Sequence, residues 1–200
     1  MPSHEYTTEQ RRTLLAVARE SIRHGLETGR PLAVDVSAFD PALQKERASF
    51  VTLNERGELR GCIGSLEAYR PLVADVAENA FNAAFRDPRF PPVTPDEFDT
   101  LRIHISVLSP PEPMEFRDET DLLAQIRPGI DGLILEDAGR RGTFLPSVWE
   151  QLPDRRQFLA HLKLKAGLPP DHWSPTLRVW RYTTESFGED DEEPGSESTA

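Results

Sequence analysis

Residues Leu101 to Leu108 alternate without a break, with Leu101, Ile103, Ile105 and Val107 on one side and Arg102, His104, Ser106 and Leu108 on the other. Strand side chains point to opposite faces with a period of two, so this segment is a β-strand buried on one face only. A sheet built from such strands argues against the parallel, doubly wound architecture, whose strands are packed under helices on both faces. The neighbouring segments agree. Residues 49–53 and 58–63 read as strands joined by the turn Asn54-Glu55-Arg56-Gly57, a hairpin signal. A second pair, 132–136 and 143–145, is joined by a connection over 137–142 that holds two glycines, and 177–182 reads as a last strand.

Helices interrupt these strands without a regular strand–helix–strand rhythm. One is expected over 8–27, where Thr7 and Gln10 form a capping-box pattern and Leu15, Ala18, Ile22 and Leu26 make an apolar stripe. A second opens with Pro71 at its first position and buries Leu72, Val76, Ala80 and Ala84, ending at Asp87-Pro88. A short helix is expected near 120–126. A further one is capped by Asp154, turns Phe158, Leu159, Leu162 and Ala166 inward, and closes at Gly167. The fold class that follows is α+β, with a mostly antiparallel sheet and packed helices.

Composition limits the function classes. The chain has 200 residues, 28% charged and 38% hydrophobic, which suits a folded domain. No apolar run approaches the ~20 residues of a membrane span. Residues Met1 to Tyr6 lack the basic and apolar regions of a secretory signal, and a single cysteine fits a reducing compartment, so the expected address is the cytoplasm. Residues 188–200 hold six acidic side chains and no Lys or Arg, and they read as an acidic disordered tail on a domain over 8–187. Without those six charges the net charge of −11 becomes −5, which gives no electrostatic footprint for nucleic acid.

The residues that carry chemistry gather at Leu59-Arg60-Gly61-Cys62-Ile63-Gly64. Simple alternation puts Arg60 and Cys62 on one face, where a guanidinium would favour the thiolate and make Cys62 a candidate nucleophile. The competing reading is a buried structural cysteine. Gly61 and Gly64 admit close approach by a ligand or by another backbone, or a bulge. His104, on the polar face of its strand, is the candidate base. Asn79, Asn82 and Arg86 share a helix face that is either solvated or a cleft wall beside the hairpin. Arg60, Gly61, Gly64, Asn82 and Arg86 are therefore the candidate ligand contacts. Asp87 and Arg89 read as a local turn. The five histidines show no metal-ligand spacing, Gly139-Arg140-Arg141-Gly142 lacks the phosphate-loop pattern, and nothing specifies a cofactor.

The run Leu59–Gly64 resembles the signature of the AMMECR domain family, known in bacteria and archaea as AmmeMemoRadiSam system protein A. Ala84-Phe85-Arg86-Asp87-Pro88-Arg89-Phe90-Pro91-Pro92, Asp131-Gly132-Leu133-Ile134-Leu135-Glu136 and Phe144-Leu145-Pro146-Ser147-Val148-Trp149 are similar to further runs of that family, in the same order. Leu164 stands where eukaryotic members often carry a second cysteine, so a two-cysteine redox role is not implied. The resemblance implies an α+β fold in two unequal subdomains with the signature near the cleft between them. It also implies work alongside a Memo-like protein and a radical S-adenosylmethionine enzyme, and no particular reaction. Two readings follow: an accessory module that presents a peptide or small ligand at the signature, or an enzyme in which Cys62 attacks a protein or small-molecule substrate.

Overall fold

The structure is a computed structural model and describes residues 5–192. In chain order the first elements are α1 (Thr8–Thr28), α2 (Pro41–Gln44), β1 (Ser49–Glu55), β2 (Glu58–Gly64), α3 (Leu72–Phe85) and β3 (Leu101–Leu108). The rest are β4 (Glu112–Pro113), α4 (Glu119–Gln125), β5 (Gly132–Asp137), β6 (Arg140–Phe144), α5 (Arg155–Lys165), β7 (Arg178–Tyr182) and β8 (Thr184–Gly188). They form two compact units: Ser109–Thr184 is one, and the chain up to Leu108, rejoined from Glu185, is the other. Helices lie with a four-stranded sheet in each, so the α+β expectation with two unequal parts holds.

The first unit has strand order β2-β1-β3-β8, with β1 antiparallel to both of its neighbours. The inner face presents Val51, Leu53, Ile103 and Ile105, all fully buried, to α1 and α3. Thr7 caps α1 as the sequence predicts: its hydroxyl accepts from the Gln10 N–H at 3.1 Å, and the Gln10 side chain accepts from the Thr7 N–H at 3.0 Å. Pro71 is the cap of α3 rather than its first residue. Beneath α3 lies a buried polar knot. Asp75 accepts from Ser49 Oγ at 2.5 Å, from Asn79 Nδ2 at 3.0 Å and from Arg70 Nε at 2.6 Å.

Two features differ from the sequence expectation. Strand β8 escapes pattern reading because only Phe187 of Thr184–Gly188 reaches the apolar core, so no alternation marks it. The folded chain then continues past Gly188 to Glu192, where composition predicts a solvated tail. Glu189 accepts the Ile103 N–H at 2.8 Å and takes Arg19 Nε and Nη2 at 2.7 and 2.8 Å, while Asp190 lies 3.3 Å from Arg102. Composition does not show these contacts, because the cations and the N–H that meet the carboxylates come from distant parts of the chain. Residues 193–200 of the expected tail lie outside the described residues.

The second unit has strand order β4-β7-β5-β6, with β7 antiparallel to β4 and β5, and β5 antiparallel to β6. Asp154 caps α5 by accepting from the Gln157 N–H at 3.0 Å, and Phe158, Leu159, Leu162 and Ala166 are buried. The hairpin turn is tighter than the sequence suggests. Ala138 and Gly139 take the positive φ values, 52° and 75°, of a two-residue turn, so Arg140, Arg141 and Gly142 belong to β6. Gly142 is needed there because a Cβ would lie 2.8 Å from the Ala166 backbone N.

Candidate functional site

The signature run Leu59–Gly64 lies wholly within β2, the edge strand of the first sheet. Its register to β1 slips between Leu53 and Asn54: Gly61 faces Leu53, whereas Leu59 faces Asn54. Arg60 is therefore the extra residue of a β-bulge, which breaks the alternation. Arg60 turns to Glu97, donating from Nε at 2.7 Å and Nη2 at 3.1 Å, with Glu55 3.8 Å away. Glu55 shares the face of Leu53, opposite to Cys62. The guanidinium is thus not beside the thiol, contrary to the two-residue spacing. Glu97 is held down at about 2, first by Arg60 and against burial, which opposes it. The same carboxylate accepts from the Thr94 N–H at 3.1 Å and so anchors the 3-10 turn Pro95–Thr100.

Both glycines of the signature are accounted for by packing. A Cβ at Gly61 would lie 2.1 Å from the Ala83 carbonyl oxygen, so the last turn of α3 rests directly on β2. At Gly64 it would meet the Phe50 ring at 2.3 Å and the Ser49 oxygen at 2.5 Å. The close approach that glycine permits is made by a backbone in one case and a ring in the other. Gly61 is buried, and Gly64 is half-buried with Phe50 on its Cβ side.

Because α3 ends over Gly61, the residues after it fall on Cys62. Asp87 is 4% exposed, and its Oδ2 accepts the Cys62 N–H at 3.0 Å. Arg89 donates to Asp87 from its backbone N at 3.1 Å, from Nε at 3.0 Å and from Nη2 at 2.8 Å, and reaches the Cys62 carbonyl at 3.4 Å. Arg89 holds the Asp87 carboxyl well below the usual carboxylate range; burial opposes this and the Cys62 N–H assists. The local turn expected at Asp87-Pro88-Arg89 exists, but it also clamps the outward backbone groups of the signature strand. The guanidinium near Cys62 is that of Arg89, not Arg60.

The Cys62 side chain is half-buried, and its Sγ lies 3.2 Å from Thr52 Oγ1. Thr52 sits opposite Cys62 on one side and opposite His104 on the other. The candidate nucleophile and base therefore share a face and a row but are two strand spacings apart, about 9–10 Å between backbones. The His104 ring instead covers Gly188, and its Nε2 lies 3.8 Å from Asp190. Thr52, between the two, is the residue sequence reading missed; nothing local marks it, because register alone puts it there.

The helix face Asn79, Asn82 and Arg86 splits in space. Asn79 is buried in the polar knot with Ser49 and Asp75. Asn82 is half-buried, and its carbonyl accepts the Arg86 N–H at 2.8 Å. The exposed Arg86 lies over the Phe81 ring, 5.3 Å from its centroid. Among the described residues, neither Asn82 nor Arg86 makes a hydrogen bond to Cys62. Among the described residues no cluster of three or more His, Cys, Asp or Glu could hold a metal ion, and no helix is long and apolar enough to cross a membrane.

The chain is similar to known proteins over most of its length. A protein of Methanothermobacter thermautotrophicus is 42% identical over 184 residues, covering 91% of this chain and 95% of its own. One of Methanopyrus kandleri is 38% identical, covering 94% and 92%, and one of Thermotoga maritima 36%, covering 83% and 91%. The crystal structure of an uncharacterized protein from Pyrococcus horikoshii superposes with a TM-score of 0.78 at 38% identity, covering 89% of this chain and 90% of that one. The AMMECR1 family model matches residues 15–187, and the chain belongs to that family.

Proposed function

We propose that the protein is an accessory binding module that works with a Memo-like protein and a radical S-adenosylmethionine enzyme, presenting a peptide or small ligand over the outer face of β2 and β1. The observation that carries this reading is the surroundings of Cys62. Its closest polar side-chain partner is the Thr52 hydroxyl at 3.2 Å, and His104 is one strand further away. The nearest carboxylate, Asp87, is committed to the Cys62 N–H and to Arg89. A nucleophilic thiol needs a base within hydrogen-bond reach or a lowered pKa from a nearby cation. Here Arg60 is bound to Glu97, and Arg89 is bound to Asp87 and faces the carbonyl side of Cys62. A rigid strand with a thiol, a hydroxyl and an aromatic ring on one face suits recognition.

Co-purification with the Memo-like and radical enzymes, using the wild type, Cys62→Ala and Thr52→Val, tests this. The module reading requires Cys62→Ala to keep both capture and pathway output, because alanine preserves the strand and its clamp. Intact capture with output abolished would make Cys62 a nucleophile and overturn it.

A further inference from the structure

The second unit holds a groove that the signature does not explain. Strand β4 pairs with β7 only through Glu112 opposite Arg181 and Pro113 opposite Trp180. One further bond, from the Met114 N–H to the Val179 carbonyl at 2.9 Å, continues the ladder. Beyond it the stretches 113–117 and 173–180 line a groove of about 460 Å³.

The lining has a specific chemistry. Phe116, Trp173 and Trp180 supply aromatic walls, with Pro175 beside them. Trp173 is held in place from two sides: the Phe116 ring is 5.5 Å away and tilted by 59°, and Lys163 Nζ lies 5.7 Å from the indole. Lys163 is itself fully buried and paired with Glu119 at 3.3 Å, so this wall is preorganised. The three tryptophans differ in how their N–H groups are used. Trp149 is buried and donates to the Asp131 carbonyl at 2.7 Å. Trp173 and Trp180 have no indole acceptor among the described residues. Two guanidiniums also border the groove. Arg178 is exposed and has no ion-pair partner among the described residues, and Arg117 is 90% exposed and only reaches Asp121 at 3.7 Å. Glu115 is the single carboxylate in the lining.

Flat aromatic walls with free indole donors match a polyproline II segment. Such a helix has no internal hydrogen bonds, so its carbonyls need outside donors, and its pyrrolidine rings stack on aromatic faces. The unpaired guanidinium of Arg178 and the exposed, long-range-paired one of Arg117 favour carboxylates at the ends of that segment. We propose that this groove docks an extended, proline-rich segment of a partner protein that carries acidic residues beside its prolines.

The test is a titration of the full chain with a capped peptide of four prolines flanked by glutamates, followed through the indole N–H resonances. Those of Trp173 and Trp180 should move while that of Trp149 stays in place. Trp180→Phe, which keeps the packing and removes the donor, and Arg178→Glu, on the surface, should each weaken binding by about tenfold or more. The same prolines flanked by lysines should bind more weakly. The proposal fails if no indole moves at millimolar peptide, if a Gly-Ser peptide with the same glutamates binds equally, or if Arg178→Glu has no effect. Tighter binding by a peptide of residues 189–200 would assign the groove to a second copy of this chain and overturn the partner assignment.

Discussion

The two sheets end in opposite ways at the strands where their outermost neighbours meet solvent. In the first unit the edge strand β2 is covered at Cys62, since Asp87 takes the Cys62 N–H and Arg89 reaches the Cys62 carbonyl. In the second unit the edge strand β4 is two residues long, and the chain beyond it opens into an aromatic groove. Unpaired edges invite strand addition, and proteins blunt them with charge, bulges or cover. The first edge uses a bulge at Arg60 together with a charged clamp, and so it displays a side-chain face instead of backbone. The second edge offers aromatic rings and donors. On the two readings proposed above, the signature strand recognises through Cys62 and Thr52, and the backbone carbonyls of an extended segment belong at the other edge.

The largest effect should come from Gly61→Val. Valine would drive its Cβ into the Ala83 carbonyl, and neither backbone can yield without separating α3 from β2. A loss of about 3 kcal/mol or more is expected, at or beyond the upper end of overpacking. Denaturant unfolding measures it, and a wild-type midpoint would mean that α3 does not rest on the strand.

Asp87→Ala should cost less, about 2–3 kcal/mol, as charge-assisted bonds to Arg89 and the Cys62 N–H are lost together. Its sharper signature is amide exchange. The Cys62 N–H should be protected in the wild type and exchange much faster in the variant, while amides of residues 115–117 are unaffected. Unchanged exchange at Cys62 would remove the contrast between the covered and open edges.

The smallest effect concerns acid. The Arg60 guanidinium holds Glu97 down at about 2, below the ordinary 4.5, and Asp87 is depressed in the same direction by Arg89. A depressed carboxylate contributes stability that is fully present above its unfolded pKa and is lost as pH falls through the folded one. The first unit should therefore lose stability between about pH 4.5 and pH 2, and Glu97→Gln should flatten that slope. A slope unchanged by the substitution would mean that the Arg60 pair carries none of it.

Much of this protein is legible in its sequence because much of it is local. The Thr7–Gln10 box, the Asp154 cap and the alternation of Leu101–Leu108 each arise within a few residues, so the pattern and the structure coincide. The run that carries the family resemblance forms one strand, β2. What the local pattern could not decide is where side chains separated by tens of residues come to rest. Spacing put Arg60 beside Cys62, but the bulge created by pairing with β1 turned it to Glu97. The two glycines left open a ligand, another backbone or a bulge, and the contacts of Ala83 and Phe50 account for them. Thr52 acquired its place between Cys62 and His104 from strand register, and Asp87 found the Cys62 N–H only because α3 ends over Gly61. Backbone propensity and capping act over one turn or one hairpin and are written in neighbouring residues. Register, bulges and the partners of buried charges are settled by which surfaces pack, and that is a property of the assembled chain.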